Sequence, residues 1–234
     1  MIDPVLRLLL ISTSAVHGTG YLDHAEAEIR DHLRAVKTLL FVPYALQDRE
    51  GYAHKAQERF ERMDIVCRSI HVSSSPKDAV AKAEAIFIGG GNTFRLLRTL
   101  YDLHLVTAIR DRVRLGMPYM GASAGSNIAG PTIRTTNDMP IVQPPSLDAL
   151  NVFPYQINPH YQDPDPDSKH MGETREERLL QYLEDNERPV IGLREGSMLR
   201  VADGKIRLVG QPSARIFQRE RAPYEVASGS EILL

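Results

Sequence analysis

Gly121-Ala-Ser-Ala-Gly125 sets one serine between two glycines with only alanine beside it, a G-x-S-x-G spacing. Glycine tolerates crowding, so such a run suits a very tight strand-to-helix turn that holds a hydroxyl out above the end of a sheet. Ser123 is therefore a candidate nucleophile. A serine hydroxyl becomes reactive only with a histidine to take its proton, a carboxylate to orient that histidine, and N–H donors for the oxyanion. In a chain with 16 glycines the five-residue pattern alone does not establish this chemistry.

Eight histidines are available as bases. His24, His32, His54 and His104 fall in helical patterns and read as surface residues; His71 falls in a strand pattern, and His17 and His170 fall in loops. His160 differs, because Asn158-Pro159 forces a turn just before it, after the short strand Tyr155-Gln-Ile157. For the orienting acid, Glu195 follows an apolar strand, while Asp138 and the trio Asp163, Asp165 and Asp167 compete with it. Gly89-Gly-Gly91-Asn92 can bring bare backbone close to a substrate, so Gly90 or Gly91 can supply one oxyanion donor and Ala124, next to the serine, the other. That glycine run has neither the Lys-Ser/Thr of a phosphate-binding loop nor the spacing of a dinucleotide fingerprint, so a nucleotide site is disfavoured.

The elements around these residues alternate. Leu6–Ile11, Thr38–Val42, a stretch spanning Ile65–Cys67 and Ile70–Val72, Ala85–Ile88 and the run into Ser123 read as strands. Between them lie helical patterns: Leu22, Ala25, Ile29 and Leu33; then Tyr52, Ala56, Phe60 and Met63; a helix opened by Ser75-Pro76; and helices over 94–100 and about 104–115. Alternation of this kind predicts a mostly parallel sheet covered on both faces, with ligands beyond the carboxyl ends of the strands, where Gly89–Asn92 and Ser123 both fall. The second half is less regular: a proline-rich loop over 135–147, a polar loop over 162–168, a helix over Glu173–Asp185, the strand Val190–Leu193, and antiparallel strands turning at Asp203-Gly204.

Composition bounds the rest. The 234 residues are 42% hydrophobic and 25% charged, enough for one globular domain over 1–234, and a net charge of −2 without a basic stripe disfavours nucleic acid as a partner. Cys67 is the only cysteine, so no disulfide framework or cysteine metal cluster is expected, and neither metal nor cofactor is called for. The apolar N-terminal run is too short for a membrane span and lacks the features of a signal peptide, so a cytoplasmic protein without a membrane partner, monomer or homodimer, is expected.

Six segments occur here in a particular order: Ile88–Thr93, Gly121–Asn127, Pro131–Met139, Ile157–Tyr161, Gly172–Glu177 and Gly192–Ser197. Together they closely resemble the peptidase E family, the α-aspartyl dipeptidases, serine peptidases related in fold to class I glutamine amidotransferases. The resemblance covers nearly the whole chain. It implies a three-layer α/β sandwich and a triad of Ser123, His160 and Glu195, with Gly90 or Gly91 and Ala124 as the oxyanion hole. It further implies dipeptides with N-terminal aspartate as substrates. The side-chain carboxylate then needs a cation, Arg175 first, with Arg134 and Arg194 as alternatives. The free ammonium needs an acid, Glu173 or Asp138, and Asn92 stands beside the glycine run as a further substrate contact. A cyanophycinase-like or β-aspartyl hydrolase is the alternative within the same superfamily, and a non-catalytic binder of small acids the alternative outside it.

Overall fold

The structure, a computed structural model, describes residues 2–167, 169 and 171–234. His170 and Ser168, the last residue of the polar loop, lie outside the described residues. In chain order the elements are β1 (Leu8–Ile11), α1 (Glu26–His32), β2 (Thr38–Val42), α2 (Arg49–Glu61), β3 (Val66–Ser69), α3 (Pro76–Lys82), β4 (Ala85–Ile88), α4 (Thr93–Asp102), α5 (Leu105–Arg114), β5 (Tyr119–Ala122) and α6 (Ala124–Asn127). There follow β6 (Gln156–Pro159), α7 (Arg175–Glu184), β7 (Val190–Leu193), β8 (Ser197–Ala202), β9 (Lys205–Gly210), β10 (Ala214–Phe217) and β11 (Tyr224–Val226).

β1 has no polar residue in its four positions and is buried throughout, which places it inside a sheet. That sheet has seven strands in the order β3-β2-β4-β5-β1-β8-β9. β3, β2, β4, β5 and β1 pair in parallel, and β8 and β9 are added antiparallel at one side. Side chains alternate between two cores: Leu8 and Leu10 pack with Leu97, Ile109 and Val113 of α4 and α5, while Leu9 and Ile11 pack with Ile29 of α1 and Ala56 and Phe60 of α2. Helices on both faces of a mostly parallel sheet make the three-layer α/β sandwich that the alternating pattern predicts. Among the described residues no helix is long and apolar enough to cross a membrane.

Two expectations need correction. The third strand was predicted to run on through Ile70–Val72; instead β3 ends at Ser69 and a 3-10 turn over Ile70–Val72 follows, carrying His71. β3 is an edge strand with Val66 and Arg68 outward and Cys67 and Ser69 inward, so its signal is alternation over four residues and not a long apolar run. Cys67 is a buried hydrophobe whose thiol is pushed up to about 12 by burial. His32 is not a surface residue. It is 1% exposed, bonds to the Tyr119 carbonyl through Nε2 at 3.1 Å, and burial holds its pKa down at about 3, a neutral core imidazole.

A second sheet bears on the site. The strand before Glu195 is not part of the central sheet. β6 and β7 pair in parallel with α7 between them in the chain, and with β10 and β11 they form a second sheet in the order β11-β10-β7-β6. The two sheets meet at Ser12, directly after β1: its Oγ donates to the Leu193 carbonyl at 2.8 Å and its N–H donates to the Ser197 carbonyl at 3.1 Å.

Candidate active site

Ser123 sits between β5 and α6 with φ 51° and ψ −111°, outside the regions a serine normally adopts. The fold over-determines this strained position. Ser123 N–H donates to the Ile11 carbonyl at 3.0 Å; Ser126 Oγ donates to the Ile11 and Gly121 carbonyls at 2.7 and 2.9 Å; Tyr119 Oη donates to the Gly125 carbonyl at 2.5 Å. Both glycines of the motif are required by close approach: a Cβ on Gly121 would strike the backbone of Gly125, and a Cβ on Gly125 would strike the carbonyl of Ile88.

His160 lies just past β6, also at positive φ, 54°. Its N–H donates to Ser12 Oγ at 3.0 Å, the same hydroxyl that reaches Leu193, so the histidine turn and the end of β7 share one anchor. Beneath it, Asn158 Nδ2 donates to the Thr135 carbonyl and to Asn137 Oδ1 at 2.8 and 2.6 Å, and Asn137 Nδ2 donates to the Pro159 carbonyl at 2.7 Å. The 131–139 segment thus braces the histidine.

These supports bring three side chains into line. Ser123 Oγ is 2.8 Å from His160 Nε2, and His160 Nδ1 is 2.7 Å from Glu195 Oε1. A carboxylate accepts only, so it selects the tautomer with the proton on Nδ1 and leaves Nε2 free to accept from the hydroxyl. Such an array can draw a proton from Ser123 as the oxygen attacks an acyl carbon and return it to a leaving group. Asp138, the competing acid, lines the same cleft but is not bonded to His160: its Oδ2 accepts from Thr93 N–H and Oγ1 at 2.7 and 2.6 Å, at the N-terminus of α4. Asp163 is bound to Arg194, and Asp165 accepts from the N–H of Asp167.

Gly90 and Gly91 face the serine across the cleft floor. The Gly90 N–H is already engaged, donating to Tyr52 Oη at 2.8 Å. The N–H groups of Gly91 and Ala124 have no acceptor among the described residues. Of the two candidate glycines, Gly91 is thus the one with a donor to spare, and Gly90 is a tether. Sequence patterning gave no sign of this role for Tyr52, which looked like a core position of α2. Ser12 was missed in the same way; its one signal is a hydroxyl directly after an apolar strand.

A cleft of about 550 Å³ contains Ser123, His160, Gly90 and Gly91, with Tyr52 and Lys55 of α2 on its wall. Most of the expected substrate contacts do not line it. Asn92 caps α4, accepting from Arg95 N–H and donating to the Met139 carbonyl. Arg134 is exposed, and Glu173 is exposed with Arg178 and Gln181 as partners. Arg194 is filled by Asp163 and Glu225, which it contacts through two nitrogens each at 2.6–2.9 Å. Arg175 opens α7, partly buried, with no hydrogen bond or ion pair among the described residues; burial, and then Arg178, hold its pKa below the usual guanidinium value.

The peptidase family S51 model matches residues 8–209, spanning the sheet, the serine turn and the histidine and glutamate loops. The chain belongs to peptidase family S51. It is therefore a peptidase, a hydrolase of peptide bonds. Two relatives resemble it over nearly their full length: "Peptidase E" of Streptomyces coelicolor is 51% identical over 97% of this chain and 93% of its own, and "Probable alpha-aspartyl dipeptidase" of Drosophila melanogaster is 45% identical over 94% and 93%. The crystal structure of a peptidase from an acI-B1 actinobacterium superposes with a TM-score of 0.71, covering 97% of this chain and 96% of that one; at 18% identity this likeness concerns the fold.

Proposed function

We propose that this S51 peptidase, as one domain over residues 1–234, is a serine dipeptidase that cleaves Asp-Xaa after an N-terminal aspartate through an acyl-enzyme. Ser123 Oγ attacks the aspartyl carbonyl carbon while His160 Nε2 takes its proton. The tetrahedral oxyanion is met by the N–H groups of Gly91 and Ala124. His160 then protonates the leaving amine, the C–N bond breaks, and water repeats the sequence on the acyl ester. Glu195 holds the imidazole and balances its transient charge. The observation that carries the reading is the continuous Ser123–His160–Glu195 hydrogen-bond array at 2.8 and 2.7 Å, built on a strained serine beside unoccupied N–H donors.

Arg175 is the proposed partner of the aspartate side chain. Its guanidinium stands partly desolvated at the N-terminus of α7, where the helix dipole disfavours a cation, and no carboxylate among the described residues offsets it. The test is release of free aspartate from Asp-Leu by the purified protein, abolished in Ser123→Ala and kept in Ser69→Ala. Full activity in Ser123→Ala would remove the serine mechanism. A β-linked Asp-Leu cleaved in preference to the α-linked one would replace the proposed specificity.

A further inference from the structure

Lys55 has no role in the chemistry above, yet it lines the cleft that holds Ser123 and His160, and it is the one lysine or arginine among the residues that do. It follows Tyr52 by three residues on α2, so both project from the same face of the helix. Tyr52 in turn touches the cleft floor through the Gly90 N–H. The Lys55 ammonium makes no ion pair among the described residues. It rests over the ring of Tyr21, 4.7 Å from the centroid, and Tyr21 packs edge-on against Tyr52 at 6.2 Å. Tyr21 is half-buried, and a cation over such a ring is held no more strongly than by one charged hydrogen bond, so a carboxylate entering the cleft can draw it away.

The anions already present are hydrogen-bonded to groups other than Lys55. Asp48 accepts from Gly51 N–H as the cap of α2, and Asp138 is turned to Thr93 at the head of α4. Both carboxylates keep their charge but are held by neutral donors, and Lys55, the one cation of Lys or Arg type on this wall, pairs with neither among the described residues. Leu46 on the same wall gives the neighbouring surface an apolar patch.

Resting on the dipeptidase reading, we infer that Lys55 binds the free α-carboxylate of the residue that leaves, and so selects dipeptides over longer chains. In a dipeptide that carboxylate is three bonds from the scissile carbonyl carbon. A longer peptide or an amide presents a neutral group there and leaves the lysine unmatched. Lys55 acts on binding: it moves no proton and touches no reacting atom.

The experiment compares Asp-Leu with Asp-Leu-amide, and Asp-Leu with Asn-Leu, on wild type, Lys55→Met and Lys55→Arg. Wild type should prefer the free acid by about tenfold or more in kcat/KM, on the scale of one charged hydrogen bond. Lys55→Met should raise KM for Asp-Leu by that factor with kcat nearly unchanged, leave Asp-Leu-amide within about twofold, and be rescued largely by Lys55→Arg. Equal loss on both substrates, or no loss on either, overturns the inference. Loss of the Asp-over-Asn preference with the acid-over-amide preference intact also overturns it, by moving Lys55 to the aspartate side chain. Calorimetric binding of Asp-Leu and Asp-Leu-amide to Ser123→Ala, with and without Lys55→Met, measures the same discrimination without turnover. If wild type cleaves no Asp-Xaa bond, the functional reading fails there while this binding comparison still decides for or against Lys55.

Discussion

The described residues contain two Ser–His–Glu arrays. In one, Ser123 meets His160 Nε2 at 2.8 Å and Glu195 meets Nδ1 at 2.7 Å. In the other, Ser69 Oγ is 2.6 Å from His71 Nδ1, and His71 Nε2 is 2.9 Å from Glu50. By residue type and hydrogen-bond distance they are equals. They differ in everything around those bonds. Ser123 is strained at φ 51° on a turn between a central strand and a helix; Ser69 is relaxed at φ −86° and 6% exposed. Unoccupied N–H groups flank Ser123 at Gly91 and Ala124, whereas Ser69 lies within the edge strand. His160 is held from below by Ser12, Asn158 and Asn137, while the carboxylate on His71 belongs to a glutamate whose side chain is 83% exposed. A serine, a histidine and a carboxylate in line form a proton relay; strain, oxyanion donors and a cleft are what make one into a site for acyl transfer.

The comparison is broken most directly at the two serines. Ser123→Ala should lower kcat on Asp-Leu by ~10⁴-fold or more, since removing a nucleophile leaves only binding and oxyanion stabilisation. Ser69→Ala should stay within about twofold of wild type. Large loss in the second variant would show that the two arrays are not distinguished as argued. The acids test the same contrast one step out. Glu195→Gln should cost ~10²–10⁴-fold in kcat by removing the charge that fixes the tautomer. Glu50→Gln should leave kcat alone and change the denaturation midpoint by the equivalent of no more than ~1 kcal/mol, the value of an exposed pair.

How much of this contrast was legible in the sequence depends on chain distance. The serine turn was legible because Gly121, Ser123 and Gly125 are local, and the alternating helices and strands gave the sandwich for the same reason. The second sheet was not, because Val190–Leu193 has the same apolar character whichever sheet receives it. Ser69–His71–Glu50 was invisible: its serine and histidine are two residues apart but its glutamate comes from a helix 19 residues before Ser69, and only the fold brings them together. Tyr52, Lys55 and Ser12 escaped for a related reason. Each belongs to a regular element or directly follows one, and its contact with the site depends on which loop that element lies against. Asn92 and Glu173 show the converse: chosen for nearness to the motifs, they are bonded as a helix cap and in local pairs away from the cleft lining, whereas Asp138 lines the cleft with its carboxylate on Thr93.

A smaller effect tests the floor of the cleft. Tyr52 is buried, burial raises its hydroxyl pKa, and the neutral hydroxyl accepts from Gly90 N–H. Tyr52→Phe removes that acceptor and leaves a buried N–H unpaired, at about 1–3 kcal/mol. The glycine run should then drift, lowering kcat by about tenfold with KM little changed, less than the ~10²–10³-fold of losing an oxyanion donor outright. Equal effects on kcat and on the stability of every neighbouring segment would make Tyr52 a core residue only.

The smallest effect lies behind Glu195. Arg194 joins Asp163 of the loop after His160 to Glu225 of β11, and Arg215 continues the network to Glu176. Nothing comparable backs Glu50 among the described residues, where its ion pair is the one to His71. Arg194, helped by Ser213 and Arg215 and opposed by burial, holds Glu225 down at about 2, and Arg194 likewise lowers Asp163. A carboxylate with a depressed folded-state pKa contributes stability above its unfolded value, and loses it as pH falls through the folded one. The network should therefore persist at neutral pH and in mild acid, and fade between about 4.5 and 2. Because the Glu225 side chain is 42% exposed, solvent screening limits the contribution to about 1 kcal/mol. Arg194→Met should flatten this acid limb in urea midpoints measured at pH 7, 4 and 3, and lower kcat at neutral pH by a few-fold as the Glu195 turn loosens. An unchanged limb with full activity would mean that Ser12 and the second sheet position Glu195 without the ion pairs, and the contrast between the two arrays would then rest on the serine turn and its donors alone.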